Sequence, residues 1–114
     1  MFNQGSQLAQ IQPSASASTA FTATLRTEVT RIMVCNVSGN GATFDIYHDD
    51  DGTTYNGTTA LFYQANIPSN TTVEVLSETL GSGVMMARGS SIGVKASIDQ
   101  SLTFTLYGVT EAVI

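Results

Sequence analysis

Between Ala42 and His48 the residues alternate one for one: Ala42, Phe44, Ile46 and His48 fall on one side, Thr43, Asp45 and Tyr47 on the other. A period of two is the period of a β-strand; on a helix the same side chains would scatter around the axis. The pattern recurs along the chain. Ile32 and Val34 oppose Arg31, Met33 and Cys35, and further runs of strand length follow at Thr59–Ile67, Thr71–Leu76, Ser91–Ser97 and Leu102–Val109. Helical periodicity appears nowhere over the length that a helix needs.

Turn chemistry separates these runs. Ser38–Gly41 contains an Asn-Gly step, and both residues tolerate positive φ, so the runs on either side are expected to pair as a hairpin. Pro68 fixes φ in the turn Ile67–Asn70. Gly81–Ser91 is a Gly-bounded connection in which Met85 and Met86 form a short strand or pack beneath a loop. The strand Arg31–Cys35, with apolar residues on both sides, is expected at a central position. The fold class is therefore all-β: a single antiparallel β-sandwich, jelly-roll-like, of about seven or eight strands. Residues 1–18 are rich in Gln, Ser and Ala, with Leu8 and Ile11 as their strong apolar anchors, and read as an extended N-terminal arm. The sandwich domain then spans 19–114.

Charge restricts function. Only 11% of the 114 residues are charged, and Ser and Thr supply 28 of them, so the surface is mostly hydroxyl and amide. The net charge of −5 sets nine carboxylates against the scattered Arg26, Arg31, Arg88 and Lys95. Direct nucleic-acid binding is not expected, because phosphate affinity needs a clustered positive field. No apolar run reaches the ~18 residues of a membrane span. The start MFNQGSQLAQ has neither a basic nor an apolar segment of an export signal, and the single Cys35 forbids an internal disulfide, so a cytosol-made chain is expected.

Candidate chemistry is sparse. His48 is the one histidine and falls in phase with Phe44 and Ile46, so it reads as a core-side residue rather than a catalytic base; a hydrolase would need it beside a carboxylate in a pocket. Cys35 reads as a small apolar residue of a central strand. Asp49, Asp50 and Asp51, followed by Gly52, Thr53, Thr54 and Asn56, offer hard oxygen ligands of the kind calcium takes. They lack EF-hand spacing, and a solvated hairpin loop is the competing reading. Glu28, Glu74, Glu78 and Glu111 are available as acid–base pairs, but no aromatic-lined cleft accompanies them. The sequons at Asn36, Asn56 and Asn70 are what a Ser- and Thr-rich chain meets by chance. No enzyme activity, no cofactor and no resident metal are expected.

From Arg31 onward, RIMVCNVSGNGATFDIYHDDDGT, YQANIPSNTTVEV and the final GSSIGVKASIDQSLTFTLYGV resemble, in that order, small β-sandwich virion proteins of tailed bacteriophages, of the capsid decoration (cement) or head-fibre type. The resemblance covers the last two-thirds of the chain. The N-terminal third departs from it: a Pro-Ala-Gly turn commonly precedes the central strand in that group, whereas here Arg26–Glu28 run through. The resemblance implies a structural protein of the virion, made in the host cytoplasm and bound to the outer capsid surface. Its partners would be the major capsid protein and copies of itself, as a dimer or trimer, with no nucleic acid and no membrane. Contacts would come from strand edges, from Met85 and Met86, and from the arm with Leu8 and Ile11. The alternative is a fibre or tail module for host recognition, binding a glycan or receptor through the loops at Asp49–Asn56 and Gly81–Ser90.

Overall fold

A computed structural model describes residues 6–76 and 83–111. Nine strands are present among them: β1 (Ser6–Ile11), β2 (Ser18–Thr22), β3 (Thr27–Asn36), β4 (Ala42–Asp49), β5 (Ala60–Ile67), β6 (Thr72–Leu76), β7 (Val84–Met86), β8 (Ser91–Ala96) and β9 (Leu102–Thr110). They form two antiparallel sheets packed face to face. The first has the order β1-β9-β3-β6, with β7 following β6 along the same edge of β3. The second has the order β2-β8-β4-β5.

Alternation explains both sheets. On β9, Leu102, Phe104 and Leu106 point inward and are fully buried, and on β8, Ile92, Val94 and Ala96 do the same. On β3, Val29 and Ile32 are both buried although two residues, Thr30 and Arg31, lie between them where strict alternation allows one. A bulge between Val29 and Arg31 absorbs the extra residue, so Thr30 and Arg31 share the side opposite Tyr107 and the inward phase resumes at Ile32. The two sheets meet at aromatic rings: Phe44 of β4 lies edge-on to Phe104 of β9, with centroids 6.1 Å apart, and Phe62 of β5 lies 6.3 Å from Phe44. Each such side chain, fully buried, contributes about 1.5–3 kcal/mol.

Close approach governs one corner. A Cβ at Gly108 of β9 would collide with the Glu28 carbonyl and with Leu8, so only glycine lets β9 lie this tightly against β3. A buried polar residue governs another. Asn36, 1% exposed, donates its Nδ2 to the carbonyls of Asn40 (2.9 Å) and Ile67 (3.2 Å), while its Oδ1 accepts from the Ser38 N–H (2.9 Å) and hydroxyl (2.8 Å). It thereby ties the end of β3, the following turn and the end of β5 together.

Three expectations from sequence are corrected. The Asn-Gly turn at Asn40 does not close a hairpin: β3 and β4 belong to different sheets, and the chain crosses the core between them. The same holds for the final pair β8 and β9. Among the described residues, β4 and β5 are the sole consecutive strands that pair. Second, Ser6–Ile11 does not lie apart from the sandwich as an arm. It is an edge strand bonded to β9, and Leu8 and Ile11 pack against the core. Third, β3 is central, as expected, but Cys35 on its outer side is half-buried rather than enclosed, and no third layer lies over that side among the described residues.

Truncating the inter-sheet contact tests the packing. Phe104→Ala should lower stability by about 3–5 kcal/mol, read from urea unfolding at neutral pH; a loss below about 1 kcal/mol would mean that the sheets do not close on this ring.

Candidate functional site

The outer face of the second sheet brings together a carboxylate, two phenols and a lysine. Asp45 and Tyr47 alternate with Phe44 and Ile46 on β4 and so point away from the core, yet both are buried, at 5% and 2% exposure. Two things cover them. One is a bulge in β5: Phe44 pairs with Ala65 and Ile46 with Phe62, so Tyr63 and Gln64 together face Asp45. Gln64 takes a left-handed φ of 53°, which a side chain other than glycine seldom adopts, and its N–H donates to Asp45 Oδ1 at 2.7 Å. The carboxylate thus offsets the strain that the bulge introduces. The other cover is the loop between β4 and β5.

That loop folds back over the sheet. Asp49 Oδ2 accepts from the N–H groups of Thr53 (2.8 Å) and Thr54 (2.9 Å), and Asp51 Oδ1 accepts from the Thr53 hydroxyl (2.7 Å). Asn56 Oδ1 accepts from the Thr58 N–H (2.8 Å) and hydroxyl (2.6 Å). Short polar side chains bonding the next few backbone groups are what bends this segment. It delivers Tyr55, whose ring stacks on Tyr47 at 5.8 Å and whose hydroxyl meets Thr19 Oγ1 of β2 at 2.7 Å. Between them lies Gly93 of β8. A Cβ there would sit 2.6 Å from Tyr55 Cδ1, so the ring needs a bare backbone beneath it. Tyr55 therefore spans β4, β8 and β2.

Electrostatics follow from these contacts. Burial holds the Tyr47 phenol well above the usual tyrosine range, and its 2.6 Å hydrogen bond to Asp45 Oδ2, the charge of that carboxylate and the nearby Tyr63 act in the same direction. Hydrogen bonds from the loop backbone, Thr54 foremost, hold Asp49 below the ordinary carboxylate range.

The residues singled out from sequence are dispersed. Asp49, Asp50 and Asp51 each bring a carboxylate oxygen within 4.8 Å of the others, the donor type that calcium takes, and two of the three are engaged by the loop's own N–H and hydroxyl groups. His48 keeps the phase of Phe44 and Ile46, its Nε2 buried without a partner, on the side of β4 opposite Asp45 and Asp49. Among the described residues it forms no pair with a carboxylate. Glu74 binds Arg31 at 2.9 Å and stands apart, whereas Glu28, which accepts the Gly83 N–H, and Glu111, which accepts the Arg26 N–H, line one surface hollow beside Met85. Glu78, and Gly81 and Ser82 of the second loop, lie outside the described residues. Met85 is 55% exposed, whereas Met86 is 1% exposed and belongs to the core, as do Leu8 and Ile11 in part. Only Met85 of these four presents most of its side chain.

Sequence reading missed Asp45, Tyr47, Tyr55, Gln64 and Lys95 as a group. The available signal was a carboxylate and a phenol at consecutive outward positions of one strand. Comparison with protein-family models, with curated proteins and with solved structures finds no match.

Gly93→Ala should push Tyr55 off the sheet and cost about 1–3 kcal/mol, but close to nothing in a Tyr55→Ala background, a double-mutant cycle read by thermal or urea unfolding. Equal costs in both backgrounds would disprove the contact. For Asp49, the lowered folded-state pKa means that its ionised form stabilises the fold above the unfolded value of about 3.9 and that this contribution is lost as pH falls through the folded value. The stability gap between the native chain and Asp49→Ala should therefore be widest at neutral pH and shrink below about pH 4; a gap that stays constant under acid would refute it.

Proposed function

We propose that this chain is a non-catalytic structural protein of a bacteriophage virion, a decoration or cement protein bound to the outer surface of the head, and that its sandwich is a jelly roll. The observation that carries the reading is the strand order, β1-β9-β3-β6 over β2-β8-β4-β5, with the chain crossing between sheets at every connection except β4–β5 and β6–β7. Two interlocked Greek keys give this order in eight-stranded jelly rolls, an architecture common to viral shell domains and lectins. The step from architecture to function is analogy, and the ordered resemblance of the chain from Arg31 onward supports it.

Cementing works by burying modest surface at many symmetry-related junctions, so that weak contacts add along the shell. The surface suits such contacts, being rich in hydroxyls and amides, with single exposed apolar side chains at Met85, Leu61 and Val37. Met85 and the free edge of β5, where Leu61 stands, are the contacts we assign to the capsid protein or to a second copy. With Leu8, Ile11 and Met86 occupied by the core, they carry what the arm and the methionine pair were expected to share.

A second reading, a fibre or tail module that recognises a host glycan or receptor, is favoured by one observation: a polar cavity beside Asp45 and Lys95.

The test is to incubate the full chain with expanded heads of the phage that encodes it and image them. Density at regular lattice points, lost or weakened when Met85→Asp and Leu61→Asp are introduced together, is the expected result. Bare heads at saturating protein would overturn the shell reading.

A further inference from the structure

The cavity on the outer face of the second sheet is used by neither the core nor the loop. It measures about 290 Å³ and is lined by Ala15, Thr43, Asp45, Gln64, Lys95 and Ser97. A second hollow of about 340 Å³ continues it toward Asn66 and Pro68, and Thr43 and Ser97 line both, so together they make one groove across the end of the sheet.

Its chemistry is specific. The Asp45 carboxylate is fixed by the Gln64 N–H at 2.7 Å and the Tyr47 hydroxyl at 2.6 Å, and each of its oxygens retains a further acceptor position. Lys95 is the residue paired with Asp45 across β4 and β8, and among the described residues its ammonium makes no ion pair. Ser97 Oγ accepts the Thr43 N–H at 2.9 Å, which leaves its proton to donate. Tyr63 shares the bulge with Gln64 opposite Asp45 and is 57% exposed, so an aromatic side chain borders the residues that line the cavity without being one of them.

We propose that this groove binds a neutral saccharide of one to three units. A pyranose presents neighbouring hydroxyls that both donate and accept, which a carboxylate, an ammonium and two hydroxyls can satisfy together, and a C–H face that an aromatic ring covers. Asp45 and Lys95 bring one charge of each sign to the groove, so the site as a whole has no net charge to favour an anion or a cation. Tyr47 and the β5 bulge fix the acceptor before the ligand arrives, which reduces the ordering cost of binding. The inference rests on the second functional reading and does not depend on the shell reading; head decoration is a separate assay, so the two fail separately.

The experiment is a titration of the isotope-labelled full chain followed by amide NMR. The probes are methyl glycosides of glucose, galactose, mannose, rhamnose and N-acetylglucosamine, and lactose, cellobiose and chitobiose, with glycine and acetate for comparison. At least one sugar should give saturable shifts centred on Thr43, Gln64, Lys95 and Ser97, with none from glycine or acetate. Lys95→Met and Tyr63→Ala, both on the surface, should each weaken that binding about tenfold or more, while Leu61→Ala on the same strand leaves it unchanged. No saturable response to any sugar, shifts centred elsewhere, equal shifts from glycine or acetate, or binding indifferent to both variants would overturn the proposal. Two independent variants keep the test valid if one of them misfolds.

Discussion

Phe44 and Phe104 meet edge to face in the gap between the sheets, and the outward-facing chemistry is referenced to that contact. Because Phe44 is pinned inward, Asp45 must point outward, Ile46 inward and Tyr47 outward. A one-residue slip of β4 would drive Asp45 and Tyr47 into the core and leave Phe44 and Ile46 in water. Register is therefore set by apolar packing, and the polar arrangement outside inherits its position from it.

The outer arrangement is layered. Asp45 accepts from the bulged backbone at Gln64, Tyr47 donates to Asp45, and Tyr55 stacks on Tyr47 while reaching Thr19. Each step uses a group oriented by the step beneath. Gly93 is the permissive element, since any side chain there would lift the top layer away. One half of the outer face is thus sealed by Tyr55, and the other half, toward Ala15 and Ser97, is left as a groove.

Much of the fold was legible because alternation is a local property. β4, β8 and β9 could be read from their apolar phase alone, and β3 nearly so, its bulge at Thr30 being visible as a two-residue gap between Val29 and Ile32. Strand partners were not legible, for a physical reason. Asn40–Gly41 and Pro68 show where the chain turns, but the same turn serves a hairpin or a crossing between sheets, and the choice depends on Asn36 bonding to Ile67 and on which faces find each other. β1 was hidden for a different reason. Its Gln- and Ala-rich text carries few large apolar residues, and a bulge between Gln7 and Ala9 breaks the phase between Leu8 and Ile11. At the site, the Asp-rich loop drew attention through charge density, yet its carboxylates turned out to shape the loop. Asp45 and Lys95, distant in sequence, become neighbours only through the pairing of β4 with β8.

The pairing of the first strand with the last has a consequence for how the molecule is made. β1 bonds to β9 and β2 to β8, so the opening segments of the chain find their places only beside its closing ones. A nascent chain emerging from the ribosome can pair β4 with β5 and β3 with β6, and can complete the second sheet once β8 is out, but β1 and one side of β3 stay unpaired until residues 102–110 have cleared the exit tunnel. Closure is then late and abrupt, dominated by contacts distant in sequence, a regime in which β-proteins fold slowly and incomplete chains are prone to associate. A chain cut short before β9 would leave β1 without its partner and β3 open along one side, so the first sheet would be split while the second stood complete.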